Sequence, residues 1–107
     1  TRTTNSIAVG LNSGNNTGTD GSIGASTISI GTNSNFGSFG IGANSIAIGE
    51  SAQTRTQYSI AIGDNSNSIG GIAIGRLSKV RASGSVAIGD QAADTTGTDG
   101  GNAISFG

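Results

Sequence analysis

The side chains in this chain that could do chemistry are hydroxyls, six carboxylates and five basic groups, with no His and no Cys among 107 residues. A nucleophilic Ser needs a general base within hydrogen-bond reach, and no Ser here has a His or Lys at an interpretable spacing. Gly21-Ser22-Ile23-Gly24 lacks the Gly-Lys-Ser/Thr that completes a phosphate loop, so its glycines read as turn residues. The peptide Thr-Gly-Thr-Asp-Gly occurs at 17–21 and again at 96–100, carrying Asp20 and Asp99. One carboxylate per loop falls short of the roughly six to eight oxygens calcium takes, and Asp-Gly is a turn former. No catalytic set, cofactor site or metal site is expected. What remains is contact chemistry, and its candidates are outward residues around Arg55, Tyr58, Lys79 and Arg81, with the two inserts.

The elements that position these residues come from one rewritten phrase. Ser45-Ile46-Ala47-Ile48-Gly49 recurs as Ser59-Ile60-Ala61-Ile62-Gly63, Gly71-Ile72-Ala73-Ile74-Gly75 and Ser85-Val86-Ala87-Ile88-Gly89. Earlier copies are Ser6-Ile7-Ala8-Val9-Gly10 and Thr27-Ile28-Ser29-Ile30-Gly31, and a last copy is Ala103-Ile104-Ser105-Phe106-Gly107. Alternating β-branched and small residues make a short strand, and Gly permits the turn that ends it. A strand and a turn repeated in tandem make a solenoid. The closing glycines give the coil lengths: 14 residues from Gly49 to Gly63 and from Gly75 to Gly89, 12 between them, 18 on either side, and 21 at the start. Corner insertions of this size are tolerated because loop closure costs grow slowly with length.

Three residues after each Gly stands a small residue, namely Ser13, Ser34, Ala52, Ser66, Ser78 and Ala92. A coil therefore reads as strand, Gly turn, shorter strand, polar turn, and stacked coils make two parallel sheets. The fold class is all-β, a parallel β-roll of about 14-residue coils in a single domain, 1–107, with polar insertions near 11–21 and 94–101. Glycine is 20 of the residues and the hydrophobic share is only 33%, a composition that by itself favours disorder. Confinement of the apolar residues to the repeats, and the absence of Pro, argue for order.

The formal charge of −1 gives no electrostatic case for nucleic acid or an anionic membrane. No apolar run exceeds three residues, too short to cross a bilayer or serve as a signal peptide. The chain opens on Thr1 and ends on a turn Gly, as a piece of a longer protein would.

Ile46, Ile48, Ile60, Ile62, Ile72, Ile74, Val86 and Ile88 share one strand face and are expected inside the roll, with Phe39 and Phe106 in equivalent slots. The opposite face carries Ala8, Ala47, Ala61, Ala73 and Ala87, small residues that would admit the backbone of another chain. That row, with a thin core per coil, predicts a homo-oligomer with these alanines at its interface. Counted from the closing Gly, Glu50, Asp64, Arg76 and Asp90 fall in one column, which sets Arg76 between Asp64 and Asp90.

Tandem Ser-Ile/Val-Ala-Ile-Gly repeats, each with a small residue three positions on, resemble the YadA-like head domain of trimeric autotransporter adhesins, most closely over 45–89. The resemblance implies a left-handed parallel β-roll with three identical chains wound together. It also implies a bacterial cell-surface protein, attached to the outer membrane through a coiled-coil stalk and an anchor whose patterns are not in this chain. Its partners would be host extracellular matrix proteins (collagen, fibronectin or laminin) or cell-surface receptors, bound without catalysis. A purely structural spacer of a surface fibre is the bland alternative. Ile48-Gly49-Glu50-Ser51-Ala52 and its copies also resemble the hexapeptide repeat of left-handed β-helix acyltransferases. Those need triangular 18-residue coils and a His base; the cleanest coils here have 14 residues and the chain has no His. An ice-binding surface would need a Thr ladder on every coil, which is absent.

Overall fold

An Ile-Ala-Ile triplet closed by Gly gives three extended residues and then a turn. The computed structural model, which describes residues 7–14, 26–35, 44–81, 83–92 and 104–106, shows this unit stacked upon itself. The strands are β1 (Ile7–Val9), β2 (Ile28–Ile30), β3 (Ile46–Ile48), β4 (Gln53–Thr54), β5 (Ile60–Ile62), β6 (Asn67–Ser68), β7 (Ile72–Ile74), β8 (Lys79–Val80), β9 (Val86–Ile88) and β10 (Ile104–Phe106). The three-residue strands form one parallel sheet in the order β1-β2-β3-β5-β7-β9-β10. The two-residue strands form a second, β4-β6-β8. No helix occurs among the described residues. Ile7 pairs with Ile28, Ile28 with Ile46, Ile46 with Ile60, Ile60 with Ile72, Ile72 with Val86 and Val86 with Ile104. These registers reproduce the long and short coils read from the glycine spacing.

Backbone bonds run from coil to coil along the whole circuit. On entering the long strands, Ile46 N donates to Ser59 O at 3.0 Å and Ile60 N to Gly71 O at 2.9 Å. At the turn, Asn65 N donates to Glu50 O and Leu77 N to Asp64 O, each at 2.8 Å. On the short strands, Asn67 N donates to Ser78 O at 2.9 Å. The turn itself is closed by Ser66 N donating to Gly63 O at 3.2 Å, a bond repeated at Ser78 and Gly75. Gly63 has φ +129°, and a Cβ there would lie 2.5 Å from the carbonyl oxygen of Gly75 on the next coil, so only glycine stacks at this position. Two residues after each closing Gly the backbone is left-handed, at Asn12, Asn33, Ser51, Asn65, Leu77 and Gln91. Asn tolerates that conformation; Leu77, at φ +59°, does so at greater cost.

The interior is small and largely hydroxylated. Ala47, Ala61, Ala73 and Ala87 are fully buried, facing Ala52, Ser66, Ser78 and Ala92 with Thr54, Ser68 and Val80. Buried hydroxyls find backbone acceptors: Ser34 Oγ donates to Ala47 O at 2.9 Å, and Ser68 Oγ to Gly71 O at 2.6 Å. Asn35 joins two coils, donating from Nδ2 to Ser29 Oγ at 3.0 Å and accepting from Thr54 N at 2.8 Å. Gly71 replaces the Ser of its column, and a Cβ there would strike the Ser85 carbonyl oxygen of the next coil as well as Val80 Cγ1, at 2.7 Å, so glycine admits both the close backbone and the valine.

This reverses the expected faces. The isoleucines point outward and the alanines inward. Two short strands joined by tight turns enclose a slot wide enough for Ala, Ser and Thr, with no room for two isoleucines per coil. Ala47, Ala61, Ala73 and Ala87 therefore cannot be the surface offered to another chain; Ala8, on the first described coil, sits at the same inward position, half-buried. Phe106 is 74% exposed rather than buried, and Phe39 lies outside the described residues. The insert 94–101 also lies outside them, as does 15–21 of the first insert.

Enlarging the slot's contents should hurt more than trimming the outer face. Ala61→Leu is expected to destabilise the roll by about 1–3 kcal/mol or more through overpacking. Ile62→Ala, compared under conditions where the chain is dispersed as single molecules, should cost clearly less. Chemical denaturation of both variants checks this, and the opposite ranking would restore the inward isoleucines. Leu77→Asn should raise stability by roughly 0.5–1 kcal/mol by relieving the left-handed residue, read as a higher denaturation midpoint.

Candidate interaction surfaces

β-branched side chains expelled from the slot line up on the outer face of the long sheet. One column runs from Ile7 through Ile46 and Ile72 to Ile104, the other from Val9 through Ile48 and Ile74 to Phe106. In-register stacking lets each side chain cover part of the next, so the central ones are half-buried, and those at the ends of the stack are exposed. The result is a continuous apolar strip, two side chains wide and seven strands long. A strip of that extent is unusual on the surface of a single soluble chain and is the kind of face that a protein, membrane or ligand contact covers.

The other sheet is polar. Gln53, Asn67 and Lys79 stack on its outer face by strand register. Arg55, Ile69 and Arg81 follow as the next column, with Arg55 N bonded to Ser68 O at 3.1 Å and Ile69 N to Val80 O at 2.9 Å. Five residues connect β4 to β5 and β8 to β9, but only three connect β6 to β7. The middle coil is thus cut back between two fuller corners. A notch of about 320 Å³ opens there, lined by Arg55, Asn67, Ile69, Lys79, Val80 and Arg81.

Three of the four contact residues expected from the sequence, Arg55, Lys79 and Arg81, meet at this notch. Tyr58 does not line it; it stands on the neighbouring corner, 70% exposed, with a left-handed backbone. Asn67 and Ile69 carry no charge, and nothing in their residue types marks them as contact residues. The signal for them is the two-residue deficit between Gly63 and Gly75.

Acidic groups gather at the opposite end of the short strands, on the Gly turns. Arg76 Nη2 bonds Asp90 Oδ2 at 2.8 Å in an exposed pair. Asp64 accepts instead from Asn65 Nδ2 at 2.8 Å. The column expected for Arg76 is present, but the guanidinium takes one of its two carboxylates. Arg76→Ala should cost no more than about 1 kcal/mol, and less in high salt, as measured by denaturation at two ionic strengths.

Comparison with known proteins bears on the central coils. Residues 41–66 and 67–92 each match the YadA head domain repeat, so the matched stretches cover the cleanest part of the stack. No curated protein and no solved structure matches the chain.

Proposed function

From a chain whose residues 41–92 are two copies of the YadA head domain repeat, an adhesin-type head, we propose a non-catalytic adhesive head that works as a homotrimer on the bacterial cell surface. The observation that carries the trimer is the apolar strip on the long sheet. A partner for it must be apolar and flat, and must repeat at the strand spacing of about 4.8 Å over seven strands. Another copy of the same sheet meets those terms coil for coil. A heterologous contact repeated around an axis closes into a ring, and the family resemblance implies that it closes at three, with the roll wound left-handed. The isoleucine columns thus replace the alanines as the proposed interface.

Adhesion by such a head needs stiffness and repetition rather than a reaction centre. Three chains present each outer site three times, and weak contacts add through avidity. The proposed partners are matrix proteins such as collagen, fibronectin or laminin, or cell-surface receptors, met by the polar sheet and the corners. A stalk and an outer-membrane anchor would carry the head. Coils of 12 and 14 residues with two strands give no support to a triangular acyltransferase helix.

Sedimentation velocity across a dilution series should show a trimer for the parent chain. Ile60→Lys/Ile74→Lys should give a smaller, still β-rich species, because both substitutions lie on the outer face. Solid-phase binding to collagen, fibronectin and laminin should fall by about 100-fold or more in that variant as avidity is lost. A folded parent monomer sinks the trimer. A trimer that binds no coating above a scrambled-surface control is a spacer.

A further inference from the structure

We infer that the notch on the short sheet is a subsite for a sulfated polysaccharide chain, an inference that deepens the adhesive reading by naming the chemistry of one ligand. The notch exists because the 60–72 coil gives up two corner residues between coils that keep them. Arg55 and Arg81 occupy the same position on those flanking coils, two spacings or about 10 Å apart, with Ile69 between them. Lys79 adds a third cation on the same side, and no carboxylate lines the notch. Glu50, Asp64 and Asp90 stand on the Gly turns, at the other end of the short strands. An anion placed in the notch is attracted by all three, with no carboxylate of the lining to oppose it. Guanidinium groups match the paired oxygens of a sulfate.

Two features narrow the ligand further. The cations lie in a row across two coil spacings, so a ligand that bears its charges in succession along a chain can engage all of them at once. The Asn67 side-chain oxygen, sealed among the residues of the notch, has no hydrogen-bond partner. Reorientation of the long cation side chains onto an anion would open it to a donor, and sugar hydroxyls supply donors beside the sulfates. No aromatic ring lines the notch to stack a base, which disfavours nucleic acid. The notch faces away from the isoleucine strip, so the proposed assembly leaves it open on every chain.

Immobilised heparin is the probe, with fully desulfated heparin and double-stranded DNA as comparison surfaces, each over a salt series. The parent chain should bind heparin, more weakly as salt rises, and prefer it to both comparison surfaces. Arg55→Gln and Arg81→Gln should each weaken binding about tenfold. Arg76→Gln, the same loss of charge outside the notch, should change it less than twofold. Lys79→Gln stands in if an arginine variant fails to melt like the parent. Absent binding, equal binding to DNA or desulfated heparin, or equal loss in Arg76→Gln would overturn the inference. Coatings of matrix protein stripped of glycan separate the two readings. Retention on them without heparin binding removes the notch and leaves adhesion; the reverse leaves the notch and removes protein-coating adhesion.

Discussion

Every coil of this chain must offer its backbone to the coil above and below, and that ladder governs the rest. Bonds such as Ile60 N to Gly71 O, Leu77 N to Asp64 O and Lys79 N to Ala92 O recur at strand entry, turn and short strand alike. Each is worth about 0.5–1.5 kcal/mol net, and each forms only if neighbouring coils follow the same path. The path includes a turn glycine at φ near +130° and a left-handed residue two positions later. The same condition holds one residue before the buried entry position, at Ser26, Asn44, Tyr58, Gly70 and Gly84. Positions that must copy their neighbours' backbone carry glycine or a short polar residue in most coils. Tyr58, Leu77 and Gln91 are the exceptions with large side chains, and all three project to solvent.

Much of this ladder is legible in the amino-acid sequence. The Gly-to-Gly spacings locate every strand pairing, including the irregular ones, because the closing glycine marks a point that recurs on each described coil and where a side chain would strike the next coil. The strand face that turns inward is harder to read, and the expectation of inward isoleucines is wrong. Alternation shows that Ile60 and Ile62 share a face, but the side taken depends on how wide the roll is, and hydrophobicity alone favours the wrong answer. The clue lies in phase. Ser59 and Ala61 belong to one face, and Ser66 three residues beyond the Gly is equally small; two small columns facing each other imply a narrow slot.

The candidate surfaces divide in the same way. Arg55, Lys79 and Arg81 are recognisable as outward residues, since the positions between them, Thr54 and Val80, keep the inner register. Their convergence is not, because a short coil can lose residues at either corner. Only the placement of β6 assigns the loss to the corner after Ser68. Arg76 shows the limit of column reasoning: stacking brings it level with two carboxylates, yet an exposed guanidinium follows local geometry, and Asn65 already occupies Asp64.

The two surfaces are consequences of one narrow interior. A slot whose described core holds Gly, Ala, Ser and Thr with one Asn and one Val buries little apolar area per coil, against an ordering cost that every residue incurs. The large apolar side chains sit outside, where their burial requires a neighbour. In the proposed trimer that burial is completed between chains, so assembly adds stability to a roll that folds on its own with little to spare. In the proposed adhesive head, recognition falls to the opposite sheet, whose two-residue strands contribute least to the ladder. Corners there can lengthen, shorten or change charge without disturbing the register of the isoleucine columns, as the cut-back coil between two cation-bearing neighbours shows.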